Sequence, residues 1–480
     1  EAGRRGRAMN RRHFHAATVA LFAAASARPL LAQGFPPAPP LGAPKAFKAP
    51  ASETYTLPNG MTVTLIPFGT TPKAEVSLRV YAGNLNEGTQ TWLPDLAGEL
   101  MKEGAGGRSA EDIANAAASM GGDVEIGVTR LQTAVGLSVL SERTADAVRL
   151  VADVARRPAF PAGELPRLKQ NLARRLAVAL SAPGPTAQKL LAAAYYGPDH
   201  PYGHIVPTEA QLSAYTVEDV RAFHAKNFGA RRARLYVAGR FDAAAVKAAV
   251  NAAFGDWAAG PERLSLPPRP TPGPKVILAN RPGAPQSTLR LAFRAPVAGA
   301  ADDIAMRVTN SLLGGSFSSR ITRNIRESKG YTYSPGSGLT FSPGDTLWTF
   351  NADVTSSVTG AALKEVFHEI RELQAKAPGA EEAGGISSFL AGTFILQNGS
   401  PAALVNSLAT RDALGLPADW LDTYVPAVLG VSPATIQATA AAQLPLDRLV
   451  LVVVGDLATV RPQLEALPEL KGMTLEVATP

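Results

Sequence analysis

The 480-residue sequence contains no cysteine, which excludes disulfide bonds, thiolate metal sites and cysteine nucleophiles. Aromatic residues make up only 6% of the chain and charged residues 18%. No stretch reaches the roughly 20 consecutive apolar residues that a membrane-spanning helix needs. With 46% hydrophobic residues, the chain has the composition of a globular protein and the length for two or more domains.

The formal net charge of +7 is concentrated at one end of the chain. Residues 1–33 carry six arginines and one acidic residue, which leaves 41 basic against 39 acidic residues in the remainder. A nearly neutral remainder offers no basic stripe for phosphate contacts, so we do not expect nucleic-acid binding.

Residues 1–33 have the pattern of a secretory signal peptide. Translation is expected to start at Met9, followed by Arg11-Arg12 and an apolar run over Ala16–Ala27. The arginine pair resembles a twin-arginine (Tat) signal, and the alternative is the basic region of a Sec signal. Either route predicts export to the bacterial periplasm. Two cleavage sites remain open, one at Ala25-Ser26-Ala27 and one at Ala32-Gln33.

Beyond a proline-rich leader at 34–51, two strand patterns occur twice in the same order. Met61–Pro67 is followed by the alternating segment Val76–Tyr81, and Lys275–Asn280 is followed by the alternating segment Ser287–Phe293. Helical patterns follow each pair of strands in the sequence. They cover Leu93–Lys102, Ala110–Met120, Glu142–Ala155, Glu164–Ala182, Val217–Asn227 and Ala243–Phe254, then Ala301–Leu313, Gly360–Ala375, Ala434–Gln443 and Ala458–Leu467.

This repetition predicts an α+β fold with two homologous halves, each an antiparallel sheet with helices packed on it. We place an N-terminal domain at 52–258, a proline-rich linker at 259–274 and a C-terminal domain at 275–480. Two linked halves of this kind suggest a clamshell with a cavity between them.

The segment Trp92–Asn115, WLPDLAGELMKEGAGGRSAEDIAN, together with Gly121-Gly122, resembles the pitrilysin (insulinase-like) metallopeptidase family, which includes mitochondrial processing peptidase. In that family a helix here carries H-x-x-E-H. Two imidazoles one helical turn apart bind zinc, and the glutamate beside them activates the water.

Aligned on Gly104, the motif positions of this chain read Asp95-Leu96-Ala97-Gly98-Glu99. Both histidines are absent, and glycine stands where the family has its general base. The third ligand of the family, a glutamate on a later helix, falls near Arg174, which is itself a cation. The joint loss of all these roles predicts an N-terminal domain with a degenerate zinc motif, no metal site in this chain and no peptide cleavage by this chain alone.

Other side chains offer no clear replacement site. Asp95 and Glu99 lie four residues apart, but two carboxylates without imidazole are weak zinc ligands. His200 and His204 flank a Pro-Tyr-Gly turn rather than lying on a helix, so we expect them to be structural.

The second half carries the more specific motif, LLGGSFSSRITRNIRESKGYTYSPGSG over Leu312–Gly338. The resemblance implies that Arg326 and Tyr333, seven positions apart, hydrogen-bond the scissile region of the peptide and stabilise the oxyanion. Tyr331 matches an aliphatic position of the family, so packing is expected for it. The alternative for Arg326 is an ordinary cation at a helix C-terminus.

Some bacterial members of the family divide these parts between two chains. The resemblance therefore implies a zinc-less subunit of a heterodimeric zinc endopeptidase, which supplies Arg326 and Tyr333 and half of the peptide chamber. Its expected partner is a paralogous subunit that carries H-x-x-E-H and the zinc, and its substrates are peptides. The alternative is an inactive scaffold or peptide-binding protein of the same fold. A self-sufficient enzyme with unusual ligands is the least favoured.

Overall fold

The computed structural model describes residues 46–267 and 271–478, so the predicted signal peptide and most of the proline-rich leader lie outside the described residues. The strands are β1 Glu53–Thr56, β2 Thr62–Pro67, β3 Lys73–Val80, β4 Gly104–Ala105, β5 Arg108–Ser109, β6 Glu125–Val128, β7 Thr133–Leu140, β8 Ala233–Gly239, β9 Lys275–Asn280, β10 Gln286–Arg294, β11 Gly336–Ser342, β12 Asp345–Thr355, β13 Val450–Gly455 and β14 Leu475–Ala478.

The α-helices of the first half are α1 Leu93–Met101, α2 Ala110–Ser119, α3 Thr144–Arg156, α4 Leu165–Ser181, α5 Pro183–Tyr196, α6 Glu209–Ala214, α7 Val217–Asn227 and α8 Ala243–Phe254. Those of the second half are α9 Asp303–Asn310, α10 Thr359–Ala375, α11 Ala380–Gln397, α12 Pro401–Leu414, α13 Trp420–Leu429, α14 Pro433–Gln443 and α15 Leu457–Glu465. Two π-helical segments, Ser311–Gly315 and Thr322–Ser328, follow α9.

Two six-stranded sheets organise the chain, in the orders β1-β2-β8-β3-β7-β6 and β11-β12-β10-β13-β9-β14. In β3, Val76, Leu78 and Val80 are buried in the first core while the alternate residues face the other way, as the period-two pattern requires. Read in reverse, the second order matches the first strand for strand. The exception is the edge strand beside β2 and β9, which is the first strand of its half in sequence in one sheet (β1) and the last in the other (β14). The predicted α+β class with two sheet-containing halves is confirmed.

The sheets are mixed rather than purely antiparallel, which corrects one part of the prediction. β2 pairs with β8 in parallel, and β9 pairs in parallel with both β13 and β14. Parallel neighbours need a long crossover connection, and each half provides one in the helices between its opening and closing strands. The sequence patterns of these strands do not distinguish the two pairings because the strands are buried.

The two halves are interlocked by a pair of helices. α5 belongs to the first half in sequence but packs on β9, β10 and β13 of the second sheet. In return, α12 of the second half packs on β3 and β8 of the first sheet. Around α5 and α12 the two predicted halves of the clamshell are therefore packed against each other rather than open. Each half contributes a helix to the hydrophobic core of the other.

Hydrogen bonds between buried or half-buried groups reinforce this exchange. The hydroxyl of Tyr236 on β8 donates to Asp412 Oδ2 on α12 at 2.6 Å, and that of Tyr196 on α5 donates to Asp345 Oδ2 at 2.6 Å. Asp412 also pairs with Arg234 and with Arg411. The described parts of the 259–274 segment contain no regular secondary structure.

Within the described ranges, no single helix is long and apolar enough to cross a membrane. In the part of the chain that the structure describes, one bent pair meets the same criteria of length and composition, Trp420–Leu429 with Pro433–Arg448, and it bends by 105°.

Candidate functional site

The degenerate motif lies on α1, a short amphipathic helix. Leu93, Leu96 and Leu100 are buried in the first core, whereas Asp95 and Glu99 share a half-exposed face one turn apart. The helix contacts α4, α7 and the outer strand β6. The motif positions are therefore at the edge of the first sheet.

A guanidinium faces the two carboxylates. Arg175 on α4 lies 4.0 Å from Asp95 Oδ1 and 3.7 Å from Glu99 Oε1, and Lys102 approaches Glu99 Oε2 at 3.0 Å. Where the family has a zinc ion, this chain thus has the positive charge of Arg175. This charge neutralises Asp95 and Glu99, the carboxylates that replace the two histidines. Since Arg175 is 55% exposed, the pairing is worth at most about 1 kcal/mol.

The sequence alignment placed the position of the family's third zinc ligand near Arg174. In the structure, the neighbouring Arg175 is the residue that contacts Asp95 and Glu99. Arg174 hydrogen-bonds Asn171 within its own helix. The buried residues of α4 include Leu172 and Leu176. Arg175, three residues after Leu172, borders that buried face, whereas Arg174 is on the opposite side.

The acidic groups behind α1 are held in a hydrogen-bonded cluster. Asn84 Nδ2 donates to Asp95 Oδ2 at 2.7 Å and to Glu87 Oε2 at 3.1 Å, and the Trp92 backbone N–H donates to Glu87 Oε2 at 2.9 Å. Burial raises the pKa of Glu87 to about 8, despite these donors, and it also raises the pKa of Asp95. For Glu87 this shift favours the protonated carboxyl group, which is a poor metal ligand.

The space of the family's general base is closed. A Cβ atom added to Gly98 would lie 2.7 Å from Val128 Cγ2 and 3.7 Å from Ile126 Cγ2, both on β6. Only glycine lets the outer strand approach α1 this closely. The described residues contain no group of three or more His, Asp or Glu side chains that could hold a metal ion. The described residues therefore do not fit zinc.

The two histidines of the His-Pro-Tyr-Gly segment act locally. His200 is buried, stacks on Tyr196 with 5.2 Å between ring centroids, and accepts from the Tyr202 backbone N–H at 3.1 Å. His204 hydrogen-bonds the Pro198 carbonyl. One ring nitrogen of each histidine is therefore used within the turn.

The second predicted site is at the edge of the second sheet. Arg326 lies on the π-helical segment Thr322–Ser328, and Tyr333 lies just before the outer strand β11. π-Helical turns are rare in proteins overall, and many of those that occur lie at functional sites. The Arg326 guanidinium carbon is 4.8 Å from the centroid of the Tyr333 ring, so the two predicted residues are together.

The segment that carries Arg326 is anchored on its other side. Arg320 forms a two-pronged ion pair with Glu382, at 2.8 and 2.7 Å, and Asn324 Nδ2 donates to Glu365 and Glu369. Ile321 and Ile325 are fully buried. These contacts hold one side of the segment against the core, while Arg326 is partly buried and Tyr333 is largely exposed.

Arg326 differs from the cations around it. Arg320 and Arg323 pair with Glu382, and Lys329 pairs with Glu365 at 3.4 Å. Among the described residues Arg326 has no ion pair, and its guanidinium lies between the rings of Tyr333 and Phe317, the latter at 4.5 Å. Arg326 lies in the last turn of its helical segment, as the alternative of an ordinary helix C-terminal cation requires, but it forms no salt bridge among the described residues.

Tyr331 and Phe317 complete this region. Tyr331 packs partly buried against the second core, in line with the packing role expected for it. Phe317 was not singled out from the sequence. The available indication was a large aromatic residue inside the polar turn Ser316–Ser319, nine positions before Arg326.

The two sites remain separate within the chain. Asp95 and Glu99 form their described hydrogen bonds and ion pairs with residues of the first half only, and Arg326 forms its ring contacts with the second half. Each site is at the outer strand of its own sheet.

Comparisons with known proteins agree with this architecture. Residues 63–206 match the family described as insulinase (peptidase family M16), and residues 214–383 match the domain described as peptidase M16 inactive domain. An uncharacterized zinc protease of Mycobacterium leprae is 29% identical over 302 residues, which is 62% of this chain and 67% of the relative. One of Mycobacterium tuberculosis is 28% identical over 338 residues, covering 69% and 74% of the two chains.

Solved structures share the fold. A peptidase M16 inactive domain from Pseudomonas fluorescens superposes with a TM-score of 0.77 at 24% identity, covering 84% of this chain and 98% of that one. A protease from Helicobacter pylori gives a TM-score of 0.78 at 17% identity, with coverage of 85% and 100%. With both domain matches in the expected order, the chain belongs to the M16 (insulinase) peptidase family.

Proposed function

We propose that this chain is the zinc-less subunit of a heterodimeric zinc endopeptidase. The observation that carries the proposal is the contrast between its two sites. The metal position is filled by Asp95, Glu99 and Arg175, whereas Tyr333 is largely exposed and the partly buried Arg326 has no ion pair among the described residues. A site that served only the fold would be expected to pair that guanidinium, as the neighbouring cations are paired.

The proposed chemistry uses a fixed donor pair. The guanidinium of Arg326 presents planar N–H donors, and Tyr333 adds a phenolic O–H. Directed at the peptide carbonyl, these donors stabilise the negative charge that develops on its oxygen during attack by water. Stacking with Tyr333 and anchoring of the helix fix the direction of Arg326 before substrate arrives, so little reorganisation is needed.

The complementary parts are assigned to a partner subunit. That subunit would carry an intact H-x-x-E-H motif, and its zinc would polarise the peptide carbonyl and activate the water. Relatives called zinc proteases support a peptidase context, although the described residues of this chain do not fit the metal. This chain would contribute Arg326, Tyr333 and half of the wall around the peptide.

Co-expression with an H-x-x-E-H paralogue from the same genome tests the proposal. We expect the purified pair to cleave a fluorogenic peptide library and each chain alone to be inactive. In the pair, Arg326→Ala and Tyr333→Phe should each lower kcat by about 10²–10³-fold, the scale for removing one oxyanion donor. Arg323→Ala and Tyr331→Phe are matched controls, because Arg323 is paired with Glu382 and Tyr331 packs against the core.

Two outcomes would overturn the proposal. Unchanged cleavage by the Arg326→Ala and Tyr333→Phe pairs would leave this chain as a scaffold of the same fold. Full activity of the zinc-bearing subunit by itself would remove the need for a heterodimer.

We also propose export to the periplasm, on the basis of the signal-like pattern in residues 1–33. Fusion of residues 9–33 to a reporter that is active only outside the cytoplasm should give signal. Replacing Arg11 and Arg12 by lysine should abolish transport by the Tat route and spare transport by Sec. A reporter that stays cytoplasmic would contradict export.

A further inference from the structure

We propose that Phe317 is a specificity-determining residue of the Arg326–Tyr333 site, which selects peptides with a large apolar side chain next to the cleaved bond. This inference rests on the proposed function and adds a residue and a substrate class to it. Its basis is a pair of cation–π contacts that share the guanidinium of Arg326. Arg326 lies 4.5 Å from the Phe317 centroid and 4.8 Å from the Tyr333 centroid.

Both rings are unusually open to solvent. Phe317 is 69% exposed and Tyr333 79%, whereas the large aromatic side chains of the neighbouring core, such as Trp348 and Phe350, are fully buried. Single exposed apolar residues need no explanation, but two rings on either side of one cation form a combined apolar and hydrogen-bonding surface.

The backbone turn that carries Phe317 is fixed by hydrogen bonds. The turn between the two π-helical segments is closed by the Ser319 N–H, which donates to the Ser316 carbonyl at 3.1 Å. Ser319 Oγ also donates to Thr322 Oγ1 at 2.9 Å, and both of these side chains are buried. Phe317 is therefore presented by a fixed turn rather than by a free loop.

The preceding Gly314-Gly315 pair fits the same arrangement. A Cβ on Gly315 would lie 2.4 Å from Asn310 Nδ2, and one on Gly314 would lie 2.6 Å from Ser337 Oγ. These close approaches tie the Phe317 turn to α9 and to the outer strand β11. The positions of Phe317, Arg326 and Tyr333 are thus set by one connected piece of structure.

The chemistry of these contacts points to a peptide. Guanidinium N–H groups suit a carbonyl oxygen, and the two ring faces suit an apolar side chain on an adjacent residue. Arg326 has no carboxylate partner among the described residues, so its donors are free for the peptide. The segment leads directly into β11, an outer strand, which is the kind of element beside which an extended peptide can lie.

The test uses the co-expressed pair and two fluorogenic peptides that differ only by Phe or Ala at the residue flanking the cleaved bond. We expect Phe317→Ala to lower kcat/KM for the Phe peptide by at least about tenfold and for the Ala peptide by less than about twofold. Phe317→Trp should keep the preference. Phe389→Ala, a change at another exposed phenylalanine (52%), should alter neither value.

The outcomes separate this inference from the proposed function. If Arg326→Ala abolishes cleavage but Phe317→Ala leaves both peptides unchanged, or lowers both equally, the inference is wrong and the proposed function stands. If Arg326→Ala has no effect, the proposed function itself is wrong. Thermal melting of each variant ensures that only folded protein is compared, and the exposure of Phe317 leads us to expect unchanged melting.

Discussion

Gly98 on helix α1 is in contact with Val128 on strand β6, so closely that an added Cβ would lie 2.7 Å from Val128 Cγ2. In the family, this glycine's position holds the general base. The degenerate site therefore differs from an active site by more than the loss of the zinc ligands, because its space is filled by other side chains. Val128 of the outer strand occupies the space beside Gly98, and the Arg175 guanidinium pairs with the remaining carboxylates.

This contact predicts that Gly98→Ala is destabilising. Despite the better helix propensity of alanine, we expect a loss of about 1–3 kcal/mol from overpacking against Val128. Gly384→Ala, in α11 with nothing within 4 Å, should instead stabilise by about 0.5–1 kcal/mol. Urea unfolding of both variants makes the comparison.

A double-mutant cycle makes the Gly98 prediction specific. Adding Val128→Ala to Gly98→Ala should recover stability, with a coupling energy of about 0.5–3 kcal/mol. Strictly additive effects of the two substitutions would show that the α1–β6 contact does not restrict position 98.

Metal removal should leave the isolated chain unchanged. Its described residues do not fit zinc, so EDTA should not shift the melting temperature and metal analysis should find far less than one zinc per chain. A substoichiometric trace would be compatible with this expectation. One bound zinc per chain, lost together with stability on chelation, would contradict it.

The buried carboxyl of Glu87 predicts a pH dependence of stability. Its pKa is raised from 4.5 to about 8 by burial, so the folded chain keeps a proton that the unfolded chain releases. The stabilisation from this group is complete below pH 4.5 and is lost as the pH rises through about 8. Glu87→Gln, which can still accept the Trp92 N–H, should flatten the decline in unfolding free energy between these limits.

Urea unfolding at pH 5, 6, 7 and 8 checks this prediction. A part of the decline should remain in the variant, because burial also raises the pKa of Glu75 to about 7. Parallel curves for Glu87→Gln and the wild type would mean that Glu87 is ionised in the folded chain at neutral pH.

The interlocked helices predict that the halves unfold together. Tyr236→Phe removes a 2.6 Å hydrogen bond to Asp412 and should cost about 1.5–3 kcal/mol, the range for a bond to a charged group. Tyr55→Phe is the control, since the Tyr55 hydroxyl has no hydrogen-bond partner among the described residues. It should be nearly neutral.

Calorimetry should show one cooperative transition for the wild type and for Tyr236→Phe. Two separated transitions would contradict a shared interface between the halves, and equal losses for the two tyrosine variants would contradict a special role of the Tyr236–Asp412 bond.

Many helices were predictable because one face is apolar and the other polar. Val217–Asn227 and Ala243–Phe254 coincide with the observed helices, and Leu93–Lys102 differs by one residue. The exchanged helices α5 and α12 were not predicted. α5 begins with Pro183-Gly184-Pro185, which resembles a loop, and both helices contact more than one element and so lack a clean polar face.

The sequence by itself determined which residues stand at the positions of the zinc motif. The absence of the two histidines and of the general-base glutamate can be read directly from the residue types. The sequence also determined the two-fold repetition and the seven-residue spacing of Arg326 and Tyr333. Only the tertiary structure decided that Arg175 rather than Arg174 faces the carboxylates, that Val128 closes the space at Gly98, and that Phe317 stacks on Arg326. These are contacts between segments far apart in the chain or joined by irregular turns, and their geometry depends on packing that no local pattern encodes.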